Sequence, residues 1–369
     1  MKQIAIKDIC KKDSSALKQK ELLQEGKYPV YGASGIAGYL DSYHQEEAYI
    51  GIVKDGSGIG RVDFYPAKSS LIGTMQYILP KRGFDIRYIG YCLQSLDLSK
   101  YKQGAAIPHI YFRDYGERLV KVIEDEKEQQ RIVSRLDAAF AHIDELKANA
   151  EKQLSEARIL FQKALEKAMK PKEGWEEKTL KDIVDYNCPI SYGIVQQGEH
   201  VDGGIPVVRP VDLSKKYIKV DNLKRTTQTI SLSYKRTILR GDEILLGVRG
   251  TTGIVSLATE ELKGSNVNRG IVPLFFNENI CRDFIYYEML SPAMQSVFAE
   301  KTTGSTLKQI NIKDLRTIKF SYPLIAEQQR IVSRLDTLSA NVKKLEEIMQ
   351  KTIAECDALK QAMLRQVFE

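Results

Sequence analysis

Two stretches of the chain carry a seven-residue apolar repeat with no proline inside it. From Leu136, the positions Ile143, Ala150, Ala157 and Ala164 follow at seven-residue steps, interleaved with Ala139, Leu146, Gln153 and Leu160. Shifted by 199 residues, the same spacing returns as Leu335, Val342, Met349, Cys356 and Met363, interleaved with Leu338, Leu345, Thr352 and Leu359. Charges such as Asp144, Glu145 and Lys147 occupy the faces between. An a/d stripe kept this long predicts two helices, each in need of a partner to hide its seam. At about 1.5 Å per residue, about 43 residues would span roughly 65 Å. Pairing of the two helices with each other is the natural solution, and recruitment of another protein by a seam is the alternative. Apolar residues beside the stripe (Phe140, Phe161, Leu165, Ile353, Leu364, Phe368) widen it and leave surface for further chains.

Each stripe opens on the same ten letters, EQQRIVSRLD, at Glu128–Asp137 and again at Glu327–Asp336. An identical decamer in one chain marks a duplication. The layout is then a block at 1–125, a helix at 126–170, a second block at 171–325 and a second helix at 326–369. Both blocks alternate short apolar runs with glycine-rich turns, which predicts hairpins and a mixed α/β (α+β) fold. Their letters echo each other in order. IAIKDIC near the start returns as TLKDIV at 179–184, and YPVYGAS as IPVVRPVD at 205–212. IVKDGSGIGRV returns as LGVRGTTGIVS, which aligns Lys54 with Arg249 and Gly58 with Gly253. The helical run IRYIGYCLQSL aligns with FIYYEMLSPAM, and Gly104–Asp114 with Gly304–Asp314 as G-x-x-[IL]-x-x-I-x-[FI]-[RK]-D. One fold used twice, with framework kept and exposed letters changed, suits two binding modules with different targets. The first block is the shorter of the two.

Antiparallel helices would put the two modules at the ends of a rod, related by a pseudo-two-fold axis. That geometry suits duplex DNA, whose strands are themselves dyad-related, with the helices as a ruler. The charge agrees: each block carries a surplus of three positive charges within the net +7, and the helices carry little. Cys10, Cys92, Cys188, Cys281 and Cys356 are scattered with no C-x-x-C pair, against a zinc site or disulfide framework and in keeping with a reducing cytoplasm. No apolar run is long enough for a membrane span, and MKQIAIKDICKKD has no signal-peptide core. GSGIG at Gly56–Gly60 reads as a hairpin loop, because RVDFY after it suits a strand and not the helix of a dinucleotide site. Neither an N-P-P-Y-like methyltransferase motif nor a phosphate loop is present, and Asp125-Glu126-Lys127 reads as a helix start.

Two elements carry a family likeness: Gly304-Ser-Thr-Leu-Lys-Gln-Ile310, and Pro323-Leu-Ile-Ala-Glu-Gln-Gln-Arg-Ile331 at the helix entry. With the two-block, two-helix layout, the whole chain resembles the specificity (S) subunit of a type I restriction-modification system. The first copy departs, with Gly104-Ala-Ala and an entry, VIEDEKEQQRI, that lacks the proline. The resemblance implies two target-recognition domains, an antiparallel coiled coil and a non-catalytic reader of double-stranded DNA. It implies assembly with two modification (M) subunits that bind S-adenosylmethionine and methylate adenine. No cofactor is implied for this chain itself. Restriction (R) subunits join such complexes, and the letters leave their presence here open. A coiled-coil scaffold for carbohydrate- or peptide-binding modules is the competing class.

Phosphate contacts position a reader and base contacts specify, so basic, hydroxyl and amide residues in turns are the DNA-binding candidates. In the first block these are Lys54, Ser57, Arg61, Lys68, Lys102, Gln103 and His109. In the second they are Arg249, Thr251, Thr252, Asn266, Asn268, Arg269, Lys301, Thr302, Thr303, Ser305, Lys308 and Gln309. His109 has no second histidine or cysteine near it in sequence, which argues against a metal. In the decamers, Ile132, Val133 and Leu136 feed the stripe. Gln129, Arg131 and Arg135, with Gln328, Arg330 and Arg334, are the expected partner-binding residues, because identity over ten letters exceeds what a coiled coil needs.

Overall fold

The computed structural model describes residues 1–56, 58–104, 108–305 and 307–369. The chain divides into two compact units, Met1–Gln153 with Ile348–Glu369, and Leu154–Glu347. Each holds one block and part of both long helices.

In the first unit, the strand Lys2–Ala5 pairs antiparallel with Leu119–Val122, so the block closes where the long helix begins. A one-turn helix, Ile6–Ile9, leads into an antiparallel four-stranded sheet ordered Cys10–Ser14, Met75–Pro80, Tyr49–Val53, Val62–Tyr65. The central strand Tyr49–Val53 is buried along its whole length. A second sheet joins Tyr28–Gly32 antiparallel to Gly35–Leu40 and parallel to Ser70–Leu71. The helix Ile86–Ser95 starts on the Asp85 carboxylate, which accepts from Tyr88 N, and lies on the sheet at Phe64. It approaches so closely that a Cβ on Gly90 would fall 2.0 Å from the Phe64 ring.

The second unit repeats this plan. Glu176–Thr179 pairs with Lys319–Tyr322, and the one-turn helix Leu180–Ile183 follows. Ile244–Gly247 lies between Val255–Leu257 and Ile271–Leu274, both antiparallel to it. Ile205–Val208 pairs antiparallel with Lys224–Thr226 and parallel with Asn266–Val267. The helix Arg282–Leu290 packs on the sheet as its counterpart does. Two pseudo-repeated α+β blocks, each followed by a long helix, are therefore the architecture that the sequence predicts.

The repeat runs in a different register from the one the letters suggest. Val53 N donates to Arg61 O and Gly60 N to Val53 O. Likewise Gly247 N donates to Ile254 O and Gly253 N to Gly247 O. Gly60 is thus the equivalent of Gly253, each with positive φ (85° and 81°), and Gly58 is not. Ile110 N bonds Lys54 O as Ile310 N bonds Val248 O, so Arg249 stands where Asp55 stands, one residue past Lys54. The helix alignment also shifts by two residues, with Asp85 equivalent to Cys281.

The two long helices are Glu126–Met169 and Ile325–Phe368. In the first unit Lys147 pairs with Asp357 at 2.7 Å and Asp144 with Lys360 at 2.5 Å, numbers rising on one helix as they fall on the other. The segments there run antiparallel. In the second unit Arg158 pairs with Glu346 at 2.7 Å, and Leu165, Met169, Ile331 and Leu335 share the block's core. The expected stripe is half right. Leu136, Ile143, Ala150 and Ala157 are buried, but Leu146 and Leu160 are 58% and 57% exposed, as is Leu359 at 50%. The second row falls one residue later, on Phe140, Lys147, Leu154 and Phe161. Phe140 lies edge-on to Tyr91 at 5.3 Å, so this row faces the block as well as the partner helix.

The second unit buries the Glu288 carboxyl. Glu288 stands where the first unit has Cys92; Ser321 N donates to its Oε1 at 2.9 Å, and its Oε2 is buried without a partner. Burial pushes this carboxyl from 4.5 up to about 8, although the Ser321 bond lowers it. The folded state therefore keeps a proton that the unfolded chain has lost, and stability falls as pH rises between these two values. Glu288→Gln should flatten this loss, shrinking the stability difference between about pH 5 and pH 8 by on the order of a few kcal/mol in urea titrations.

Candidate nucleic-acid interface

In each block a glycine turn leaves the central strand and is crossed by the segment that precedes the closing strand. In the first, Gln103 and His109 exchange backbone bonds at 2.8 and 2.9 Å, and Gly56 N donates to Pro108 O. This brings the His109 Nδ1 onto the Asp55 carboxylate. The His109 ring lies 4.1 Å from that of Tyr111, which is 39% exposed, and the Arg113 guanidinium lies over the Tyr111 ring at 4.6 Å. Gln103 donates to Asp114 Oδ2 at 2.8 Å. In the second block, Gly250 N donates to Lys308 O, and Arg249 faces Gln309 across an antiparallel bridge. Thr302 and Thr303 pair with Ile310 and Gln309, and the Thr252 and Thr302 hydroxyls meet at 2.9 Å.

The structure therefore gathers Lys54, Gln103 and His109 in one cluster, and Arg249, Thr251, Thr252, Thr302, Thr303, Lys308 and Gln309 in another. Lys102, Lys301 and Ser305 are exposed beside them. Asn268 and Arg269 immediately precede Gly270, whose carbonyl accepts from Val248 N, so they adjoin the second cluster. Lys68 lies apart, in the turn before Ser70 and 3.9 Å from Glu46, and Arg61 pairs with Asp63 at 3.0 Å. Ser57 lies outside the described residues. Asn266 is a correction: it is fully buried, accepting from Thr237 Oγ1 at 2.7 Å and donating to the Ser231 carbonyl and hydroxyl at 3.2 Å, so its amide is spent inside the fold. Asp55, Tyr111 and Arg113 belong to the first cluster and are not among the residues expected from the sequence. Aligning Lys54 with Arg249 hid the first of these.

The decamers have a second life inside the fold. Gln129 is wholly buried, against the partner-binding role that its residue type suggests: its Oε1 accepts from Asp85 N at 2.7 Å, and its Nε2 donates to Gly83 O and Ile123 O. Gln328 repeats the pattern with Cys281 N at 2.8 Å, Asn279 O and Pro323 O. Neither amide can reach a partner. Asp137 accepts the Tyr91 hydroxyl and the Arg87 guanidinium, and Asp336 accepts the Tyr287 hydroxyl and, at 2.7 Å, Lys216. Burial alone would raise the Asp336 carboxyl, but Lys216 and Tyr287 outweigh it and hold it below its ordinary value. Glu128 and Glu327 bind Arg131 and Arg330 one turn on. What remains identical and exposed is Gln130, Arg131, Ser134 and Arg135, with Gln329, Arg330, Ser333 and Arg334. Arg135 and Arg334 make no ion pair among the described residues.

The profile of the type I restriction modification DNA specificity domain matches residues 1–156 and 172–353. The chain belongs to this family. It is 26% identical over 266 residues to the EcoBI specificity subunit of Escherichia coli, which covers 65% of this chain and 56% of that protein. It is 29% identical over 191 residues to the MjaIX specificity subunit of Methanocaldococcus jannaschii, covering 50% of this chain and 43% of the relative. The chain thus spans about half the length of these two relatives. The fold matches a chain from a structure of the type I R-M system at a TM-score of 0.74 and 18% identity, over 98% of this chain and 96% of the other. Among the described residues no helix is long and apolar enough to cross a membrane, and no His/Cys/Asp/Glu group could hold a metal ion.

The glutamine clamps carry a stability prediction. Gln129→Leu removes three hydrogen bonds to half-buried backbone groups, so urea unfolding should show a loss of about 2 kcal/mol, and Gln328→Leu likewise. Arg135→Ala should stay within about 0.5 kcal/mol of the parent.

Proposed function

We propose that this chain is the DNA-reading subunit of a type I restriction-modification complex, each block reading one half of a bipartite, asymmetric site. Methylation and cleavage then belong to modification and restriction subunits, with S-adenosylmethionine held by the former, in the cytoplasm where the DNA is. The domains are the blocks 1–125 and 171–325 and the helices 126–170 and 326–369. The surviving identical face of the decamers, presented once per copy, suits two identical modification subunits.

The observation that carries the reading is one framework position filled by opposite chemistry. Asp55 with His109 occupies in the first block what Arg249 with Gln309 occupies in the second. An arginine suits guanine O6 and N7, a glutamine suits adenine, and a carboxylate accepts from cytosine N4. Lysines and threonines around them suit phosphates. Two readers of different half-sites need this kind of change, and a scaffold does not.

The test is Arg249→Ala in the complex assembled with its modification subunits, read by sequencing the methylated positions. Discrimination at one base pair of one half-site should relax by about 1–3 kcal/mol, roughly 5- to 150-fold, with the other half unchanged. Relaxation in both halves, or in neither, would refute the assignment.

A further inference from the structure

The two sheets differ at one edge. In the second unit, Val255–Leu257 has a further neighbour: Leu257 N donates to Lys216 O at 2.7 Å, Ser256 Oγ donates to Lys215 O at 2.7 Å, and Tyr217 bridges Leu257 in parallel. The inserted segment sends Lys216 to Asp336 and Asp283, among the rings of Tyr217, Tyr286 and Tyr287 at 5.1–5.5 Å. In the first unit the equivalent strand, Val62–Tyr65, ends its sheet. By the pairing alternation set at Val53 and Arg61, Phe64 N points outward as Leu257 N does. Beside it lies a cavity of about 900 Å³, lined among others by Val62, Phe64, Gln94, Ala141, Lys360 and Arg365.

The charge is inverted as well. Where the second unit has Asp283, the first has Arg87, which meets Asp137 at 2.6 Å, so the carboxylate that receives Lys216 in one unit is already served in the other. Arg365 in the groove makes no ion pair among the described residues. Asp137, Ala141 and Asp144 carry the groove along the helix from the exposed Ser134 face, whereas Lys54, Gln103 and His109 are not in its lining.

We infer that this groove takes an extended segment of the modification subunit, laid parallel to Val62–Tyr65 where the second unit uses its own Lys215–Tyr217. The segment carries a carboxylate in the place of Lys216, facing Arg87 and Arg365. No strand lies beside Val62–Tyr65 on this side, where Val62 O accepts from Gln94 Nε2 at 3.0 Å, and an edge strand beside a cavity is the setting for recognition by strand addition. The inference rests on the function proposed above. It also makes the two modification subunits unequal, since the second unit has filled the place itself.

A photo-crosslinking residue at Ala141, in the complex with the modification subunit and duplex DNA, should capture a modification-subunit peptide that contains Asp or Glu. Arg365→Glu should reduce that capture about tenfold, and amide exchange over Val62–Tyr65 should slow about tenfold on assembly. A second probe at Arg135 reports assembly itself. Capture at Arg135 with none at Ala141, capture of DNA at Ala141, or unchanged exchange would overturn the groove assignment and leave the functional reading standing. Failure to assemble at all would overturn both.

Discussion

A buried side-chain amide at the first turn of each long helix holds the rest together. Gln129 and Gln328 each tie three backbone groups from separate segments: the start of the block's helix, the loop before it and the end of the closing strand. Inside a core such a group is costly unless every bond is made, and here the bonds fix the helix to its block in one orientation. The Tyr91–Asp137 and Tyr287–Asp336 bonds add a second point two turns on. A helix fixed at two points transmits its direction to the block it leaves. The identity of the decamers follows mostly from this internal duty, and only the exposed Gln-Arg and Ser-Arg pairs are left for partners.

The two blocks spend their differences away from that frame. Strand pairing, the glycine turn and the crossing segment recur, while the side chains at the crossing change from Asp and His to Arg and Gln. The groove follows the same logic from the other side, since one block has built over an edge that its twin leaves open.

The gross plan was legible in the sequence because repeats, alternation and heptads are periodic signals that survive divergence. Its finer register was not. Closely spaced glycines allow several alignments, and only the bond from Gly60 N to Val53 O singles out the partner of Gly253. The seam was misplaced because Leu146 and Leu160 are more apolar than Lys147, yet Lys147 lies in the row that faces the second helix through its Asp357 pair. Gln129, Gln328 and Asn266 read as surface amides by residue type; burial depends on neighbours distant in sequence, such as Asp85 and Thr237.

The central claim is that one framework position in each block chooses the base read by that block. Its most direct measurement is to give the first block the letters of the second, Asp55→Arg with His109→Gln, and to sequence the methylated sites made by the assembled complex. The first half of the motif should change while the second half stays as it was. An active complex whose motif is unaltered, or altered in the second half, would contradict it.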